Sequence, residues 1–164
     1  MLIIRRIQPE DLPRLRKFWM ERWGDDFVVA HGVVYHPDLL DGFLAMDGND
    51  VIGLITLAHS DDGCEIVSLD SLREDKGIGS TLIKEVIKAA REQGCRRLFL
   101  ITTNDNLRAL GFYQKRGFQL VAVHRGAVDE SRKIKPNIPL VGENGIPLRD
   151  EIELEMSLQD DASG

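Results

Sequence analysis

The feature that most restricts the fold is a series of three apolar segments, separated by two tight turns and followed by a strongly amphipathic helix. The segments are FLAM, VIGLITLA and CEIVSLD, with polar turns at 47–50 and 61–63 between them. Short apolar runs joined by such turns are typical of an antiparallel three-stranded meander. From Ile78 to Ala90 the apolar residues recur at helical spacing, and Gly94 stands where a helix C-cap is expected. This order predicts a sheet with a helix packed on it.

The flanking segments continue this alternation of strands and helices. Before the meander, the apolar strand LIIRRI precedes the amphipathic helix PEDLPRLRKFWMERW. After it, RRLFLITT, FQLVAVHR and EIELEMSL are predicted as strands, and a short helix is predicted from Asn106 to Arg116. The predicted fold class is α+β, a three-layer α/β/α arrangement with a mixed, mainly antiparallel sheet of about seven strands. One domain is expected over residues 1–158, with a flexible tail at 159–164.

Two stretches lack a regular period. Residues 24–42 are predicted as an irregular crossing with a short helix around Asp38 to Leu40. Residues 126–150 are predicted as a lid or rim beside a binding site, because structureless connections of this length are uncommon unless functional or disordered. A decorated hairpin or a surface for self-association as a homodimer is the alternative. Three carboxylates alternate with apolar residues in the last strand and are predicted to face water: Glu151, Glu153 and Glu155.

Composition and charge exclude several classes of protein. A chain of 164 residues with 43% hydrophobic residues can bury a sizeable core, which disfavours disorder and small stapled scaffolds. Its 27 acidic residues outnumber the 21 basic ones, which disfavours a nucleic-acid partner. The charge is uneven: net −7 over 1–70 (6 basic, 13 acidic), +7 over 71–140 (14 and 7) and −6 over 141–164 (1 and 7). The basic middle suggests a segment that contacts an anion, and ordinary solvated surface charge is the alternative.

The cysteines and the first residues bear on metal binding and location. Cys64 and Cys95 have no metal-ligand spacing and form no disulfide framework, so neither a metal nor a disulfide is predicted. The opening apolar run is shorter than the roughly 7–15 residues of a secretion signal. No stretch reaches the roughly 18 apolar residues of a membrane span. These observations predict a cytoplasmic protein without a membrane partner.

The chemically informative segment is SLDSLREDKGIGSTLI at 68–83, where a strand leads through Gly77 and Gly79 into the strong helix. Closely spaced glycines let backbone amides at a helix start point at an anion, which the helix dipole also favours. A tight turn without a ligand is the alternative. A Walker motif is excluded because Lys76 precedes the glycines, and a dinucleotide fingerprint because Leu82 replaces the third glycine.

Together with NLRALGFYQKRGF, this turn resembles the GNAT superfamily of acetyl-CoA-dependent N-acetyltransferases. The family's turn has Arg or Gln, two residues, Gly, one residue, then Gly or Ala. EDKGIG matches except that Glu74 stands at the first position, with Arg73 beside it as an alternative cation. The second signature matches at five positions: Asn106, Ala109, Tyr113, Gly117 and Phe118. The resemblance extends from Ile3 to Leu158, and its specific part is 68–118.

The resemblance implies acetyl-CoA as cosubstrate. The turn amides would hold its pyrophosphate, and the pantetheine arm would lie along the strand near Leu69, in a splay between the fourth and fifth strands. An amide near Leu69 would stabilise the oxyanion formed from the thioester carbonyl. The implied cofactor-binding residues are Leu69, Leu72, Arg73, Lys76, Gly77, Ile78, Gly79, Ser80, Asn106 and Tyr113.

Catalysis needs an acid and a base. Tyr113 occupies the position that protonates the departing thiolate in many relatives, and a phenol with a pKa of about 10 suits that role; a core aromatic is the alternative. For the base, Glu65 is a candidate because it shares strand parity with Leu69, although an exposed strand carboxylate is equally expected. Asp70 is a second candidate because it lies one residue from the expected carbonyl site. Further candidates lie in the irregular segment: His31, Tyr35 and His36.

The predicted function is direct transfer of acetyl from acetyl-CoA to a primary amine, through a ternary complex, by a cytoplasmic acyltransferase. The acidic first segment predicts a cationic acceptor. A non-catalytic acyl-CoA-binding sensor on the same fold is the alternative. An interaction domain without a nucleotide site is a third candidate.

Overall fold

A computed structural model describes residues 1–25, 27–36, 39–73 and 77–159. Its strands and helices are, in chain order, β1 (Leu2–Arg6), α1 (Leu12–Trp23), β2 (Val28–Ala30), β3 (Val33–Tyr35), β4 (Asp41–Asp47), β5 (Asp50–Ser60), β6 (Gly63–Ser71), α2 (Ile78–Glu92), β7 (Arg97–Thr103), α3 (Leu107–Lys115), β8 (Gln119–His124), α4 (Ala127–Ile134) and β9 (Glu151–Ser157). None of the helices in these ranges is long and apolar enough to cross a membrane.

Seven strands form one sheet in the order β1-β4-β5-β6-β7-β9-β8, and β2 and β3 form a separate ribbon. The pairs β1–β4, β4–β5, β5–β6 and β8–β9 are antiparallel. This mostly antiparallel sheet with its four helices confirms the predicted α+β fold class, and β4–β6 form the predicted meander. The chain divides into two compact units, the first of Met1–Asp26, His36–Leu98 and Ser157–Gly164, the second of Phe27–Tyr35 and Phe99–Met156.

In the first unit, helices cover both faces of the β4–β5 pair. Leu15 and Trp19 of α1 are each 1% exposed and pack on apolar side chains of β4 and β5. Burying side chains of this size stabilises the fold by roughly 1.5–3 kcal/mol each. On the other face α2 approaches so closely that a Cβ at Gly53 would lie 2.6 Å from Cγ2 of Ile78. Glycine at this position therefore fixes where α2 begins relative to the strands.

A β-bulge determines which side chains of β6 share a face. The register shifts between Thr56 and Leu57 of β5, so β6 has one extra residue at this point. An extra residue reverses the alternation of side chains beyond it. Glu65 therefore points to the same face as Asp70 and not to that of Leu69. The predicted parity of Glu65 with Leu69 is wrong for this reason.

Two stretches that were expected to be irregular contain regular elements. Residues 28–35 form the β2–β3 hairpin, whose turn holds His31 and Gly32 at φ of +41° and +77°. Positive φ at both turn positions matches the twist of a tight hairpin. The connection over 126–150 contains α4, so it is not structureless. Of the short helix predicted around Asp38 to Leu40, Asp38 lies outside the described residues, and so does the predicted tail from residue 160 onward.

The acidic side chains of β9 do not simply face water as predicted. Glu151 is only 4% exposed, and its carboxylate accepts hydrogen bonds from the backbone N–H of His31 at 3.1 and 3.2 Å. Glu153 contacts Nε2 of His124 at 3.0 Å. A buried carboxylate requires such partners because it loses its hydration. These carboxylates therefore stabilise the contacts of β9 with the β2–β3 hairpin and with β8, all within the second unit.

Candidate active site

The start of α2 has the geometry of an anion site. Gly77, at the N-cap, has a φ of +67°, a left-handed conformation that glycine adopts without strain. A backbone hydrogen bond of 3.0 Å runs from the N–H of Thr81 to the carbonyl of Gly77. The hydroxyl Oγ1 of Thr81 donates a second hydrogen bond to the same carbonyl at 2.9 Å. In an α-helix the first N–H groups are not used by the helix's own hydrogen-bond ladder, and the helix dipole makes this end positive.

The other predicted cofactor residues of the first unit lie along the end of β6 and the start of α2. Leu69 is paired opposite Ile55 in the sheet. Leu72 prolongs the strand contact, because its N–H donates to the carbonyl of Ile52 at 2.8 Å. Ile78 and Gly79 are both buried in the first turn of α2.

Arg73, the predicted alternative cation, forms an ion pair with Asp47. Nη1 of Arg73 lies 2.6 Å from Oδ2 of Asp47, and this hydrogen bond is the main reason why the pKa of Asp47 is lowered. Both side chains are exposed, and exposed pairs are weak. Arg73 can therefore exchange Asp47 for a phosphate at little cost. Glu74 and Lys76 lie outside the described residues.

Asp70 is a buried carboxyl with an unusual protonation equilibrium. It is 8% exposed, and its Oδ1 lies 3.2 Å from Nε of Arg22 in α1. Its Oδ2 is buried without a hydrogen-bond partner among the residues that the structure describes. Burial raises the pKa of Asp70 to about 6, while the charge of Arg22 acts in the opposite direction. Such a carboxyl can accept a proton near neutral pH.

Glu65 belongs to a row of polar groups on the same face as Asp70. It is 5% exposed, which rules out an exposed strand carboxylate. Between the two acids, Oγ1 of Thr56 and Oγ of Ser68 share a hydrogen bond of 2.6 Å. Buried polar groups need hydrogen-bond partners, so a row of them on one face of the sheet marks a candidate site. The bulge in β6 thus brings Glu65 and Asp70 to one face.

In the second unit, Asn106 is the N-cap of α3 and Tyr113 lies within that helix. Oδ1 of Asn106 accepts a hydrogen bond from the N–H of Ala109 at 3.1 Å, so Asn106 caps the helix. Tyr113 is buried, and its ring packs edge-on against Phe112 and Phe118 at centroid distances of 5.1 and 5.4 Å. This packing fixes the position of the phenol. The roles of Asn106 and Tyr113 toward a cofactor stay predictions.

The histidines of the irregular segment have contacts of their own. The hydroxyl of Tyr35 lies 3.0 Å from Nε2 of His31, and the two rings meet edge-on. His36 is exposed and accepts a backbone hydrogen bond from Leu39 at its carbonyl. Their roles as bases stay predictions.

Comparison with known proteins identifies the family. The model of the acetyltransferase (GNAT) family matches residues 4–118. The Bacillus subtilis protein YxbD is 45% identical over 152 residues, covering 92% of this chain and 94% of YxbD. The chain belongs to the GNAT acetyltransferase family. This confirms the resemblance and makes the chain an acyltransferase enzyme.

Solved structures of GNAT proteins agree with this assignment. The IAA acetyltransferase from Bacillus cereus superimposes with a TM-score of 0.72 at 25% identity, covering 96% of this chain and 99% of that one. A GNAT acetyltransferase from Elizabethkingia anophelis, solved with acetyl-CoA bound, has a TM-score of 0.65 at 26% identity, covering 95% and 97%.

One residue of the candidate site was not identified from the sequence. Arg22 forms the ion pair with Asp70, yet the two are far apart along the chain. A signal was present, because Arg22 follows the buried Trp19 by three positions and therefore lies on the same side of α1. Nothing in the spacing, however, indicates which strand that side of α1 contacts.

Proposed function

We propose that this GNAT chain transfers an acetyl group from acetyl-CoA directly to a primary amine of a cationic acceptor. The observation that carries the proposal is the buried carboxyl of Asp70, which has a pKa of about 6 and stands at the end of β6, shortly before the glycine turn. The acetyl-CoA bound to the Elizabethkingia relative supports the same cosubstrate here.

The start of α2 would bind the pyrophosphate of acetyl-CoA. Its backbone amides and positive dipole end favour a doubly charged anion. Arg73 would leave Asp47 to contact a phosphate. The remaining residues assigned to the cofactor by resemblance are Leu69, Leu72, Lys76, Gly77, Ile78, Gly79, Ser80, Asn106 and Tyr113.

The ammonium nitrogen of the acceptor has to lose two protons, and the departing thiolate has to gain one. An alkyl amine has a pKa of about 10.4 and arrives mainly as an ammonium, which the carboxylate of Asp70 would deprotonate. The neutral nitrogen would attack the thioester carbon and form the C–N bond, while an amide near Leu69 stabilises the oxyanion. The C–S bond would then break, and Tyr113 would protonate the CoA thiolate. The second proton of the amine would restore the phenol, and Asp70 would return its proton to water.

The charge of the first segment supports a cationic acceptor. Residues 1–70 have a net charge of −7, and Glu65 and Asp70 are buried on one face of β6. Arg22 offsets part of the charge of Asp70, so the two carboxyls together favour a positively charged ligand. Glu65 is the second candidate for the base.

An amine panel tests the proposal. Purified chain and acetyl-CoA would be incubated with polycationic, neutral and anionic primary amines, and acetylated products would be identified by mass spectrometry. Preferential acetylation of the polycationic amines is expected. Preferred turnover of anionic amines would contradict the acceptor class, and calorimetry that detects no acetyl-CoA binding would contradict the whole proposal.

The ion pair of Arg22 with Asp70 favours a second candidate, an acyl-CoA-binding sensor. A carboxylate held by a cation is a weaker base, so the pair would suit a protein that binds acyl-CoA without turnover. Tight acetyl-CoA binding with no transfer to any amine of the panel would support the sensor.

A further inference from the structure

A cluster of metal-ligating side chains lies at the opposite end of β6 from Asp70. His59, near the end of β5, is paired directly across the hairpin with Cys64, at the start of β6. Cys95 follows α2, immediately after Gly94. One ligand atom of each residue lies within 4.8 Å of the other two, and Nδ1 of His59 is 3.2 Å from Sγ of Cys64.

Local packing holds Cys95 against the hairpin. Gly63 has a φ of +140°, and a Cβ there would lie 2.6 Å from the carbonyl oxygen of Arg97. Only glycine permits so close an approach in this conformation. The guanidinium of Arg97 pairs with the carboxylate of Asp62, and its Nε donates to the carbonyl of Asp62 at 3.3 Å. The fold thus brings together two cysteines that are distant in sequence.

The orientation of His59 suits a metal ligand. Its Nε2 lies 3.6 Å from Oδ2 of Asp41, while its Nδ1 faces Cys64. Metal-binding histidines commonly direct the second ring nitrogen at a carboxylate, which fixes the tautomer and the ring orientation. Asp41 is itself held by Arg6 at 3.2 Å and by the N–H of Gly42 at 2.8 Å. The carboxylate is therefore well placed before any metal binds.

We propose that His59, Cys64 and Cys95 bind a zinc ion and that Asp41 is a positioning residue for His59. Two thiolates and one imidazole are a ligand set that zinc prefers, whereas magnesium and calcium prefer oxygen ligands. Tetrahedral zinc would separate two sulfurs by about 3.8 Å and sulfur from nitrogen by about 3.6 Å, so the ligand atoms need to shift by about 1 Å or less.

The proposed site has three protein ligands and one exchangeable position. Each thiol releases its proton to water as its sulfur–zinc bond forms. The side chain of His59 is 40% exposed, so water can reach the fourth position. The bound ion would join the β5–β6 hairpin to the segment after α2, which stabilises the first unit in addition to the contacts of Arg97.

Metal titration of the untagged full chain tests the site. The chain would be stripped with a chelator, kept reduced with a phosphine, and titrated with zinc chloride against a chromophoric chelator. One zinc per chain is expected. Cobalt(II) in place of zinc should give sulfur-to-metal charge-transfer absorption, because thiolates supply two of the ligands.

Matched variants assign the ligands. His59→Gln and Cys95→Ser should each lower the zinc affinity at least about tenfold, and Cys95→Ser should also reduce the charge-transfer intensity to about half. Asp41→Asn should weaken binding by about 10- to 100-fold. His124→Gln, at an exposed histidine that also contacts a carboxylate, is the control and should bind zinc like the parent chain. Circular dichroism confirms that each variant is folded.

Several results would overturn the zinc site. These are absence of zinc uptake by the reduced chain, equal affinity in His59→Gln, Cys95→Ser and the parent chain, and cobalt binding without charge-transfer absorption. A disulfide between Cys64 and Cys95 in the unreduced chain, with no zinc uptake after reduction, would show a redox pair instead. None of these readouts depends on acetyl transfer, so they are independent of the proposed enzymatic function.

Discussion

Each end of β6 has a buried acidic group, the thiol of Cys64 at its start and the carboxyl of Asp70 near its end. Charged and polar neighbours shift the pKa values of these two groups in opposite directions. Burial is the largest cause of the raised pKa of both Asp70 and Cys64. Beside Asp70, the cation Arg22 counteracts burial, and the pKa is about 6. Beside Cys64, the thiol of Cys95 and the carboxylate of Asp41 add to the effect of burial, and the pKa is about 12.

Burial of an acidic group can therefore accompany two different kinds of chemistry, depending on the neighbouring charges. Asp70 changes its protonation state near neutral pH, so it can take part in proton transfer. Cys64 keeps its proton at neutral pH unless a metal cation replaces it. A buried acid therefore has to be assessed from the charges beside it as well as from its exposure.

The largest expected effect is a loss of turnover when Asp70, near the carboxyl end of β6, is replaced. Asp70→Asn removes the proposed base and should lower kcat by about 10²- to 10⁴-fold. Acetyl-CoA affinity should stay close to that of the parent chain, since Asp70 is proposed to act on the acceptor. Steady-state kinetics with an identified acceptor and calorimetry provide the two measurements. Asp61→Asn, in an exposed turn, is the control, and a loss of less than about fivefold in Asp70→Asn would remove Asp70 from the role of base.

At the amino end of β6, we expect the thiol of Cys64 to be alkylated slowly. Cys64 of the metal-free, folded chain should react with iodoacetamide about 10³-fold more slowly at pH 8 than Cys64 of the unfolded chain. The reason is that the thiolate is the nucleophile, and a pKa of about 12 leaves very little of it. Peptide mapping by mass spectrometry separates Cys64 from Cys95. Equal rates in the folded and unfolded chains would contradict the assigned environment.

Asp70 should also reduce the stability of the fold above pH 6. Its pKa in the folded chain, about 6, exceeds its ordinary value of 3.8, so protonated Asp70 favours folding below about pH 4 and this contribution is lost as the pH rises through 6. Asp70→Asn should therefore be more stable than the parent chain by up to about 3 kcal/mol at pH 8, with no such gain at pH 4.

Urea unfolding at both pH values measures this difference, provided that unfolding is two-state. Cys64→Ala is the variant for comparison, because Cys64 is protonated in the folded chain throughout this range. Its substitution should change the free energy of unfolding by nearly the same amount at pH 4 and pH 8. A stability gain of Asp70→Asn that does not change with pH would show that ionisation is not its cause.

The order of elements could be predicted because it depends on local periodicity. The apolar spacing of α2 and the short turns of the meander are visible within a few residues of sequence. The β2–β3 hairpin was missed because its strands have only three residues each, too few to show a period. The burial of Glu151 was missed because its partner, the N–H of His31, belongs to a distant part of the chain.

The candidate site was predictable only in part for the same reason. The glycine turn is a local pattern and was identified directly. The side of β6 to which Glu65 points depends on a bulge that is defined by pairing with β5, which the sequence of β6 alone does not indicate. The contact of Cys95 with Cys64 likewise depends on the close approach at Gly63, so cysteine spacing gave no signal of it.

The smallest expected effect is a change in pH dependence when Arg22 is replaced. Arg22→Met keeps much of the side-chain length but removes the charge that lowers the pKa of Asp70, so that pKa should rise above about 6. The acid limb of the kcat/KM profile should move to higher pH, and kcat/KM at pH 6 should fall by about two- to fivefold, with little change at pH 9. Lys17→Met, at an exposed position of the same helix, is the control. If the acid limb of the kcat/KM profile does not move in Arg22→Met, another group titrates near pH 6. The difference between the pKa values of Asp70 and Cys64 would then not depend on the charge of Arg22.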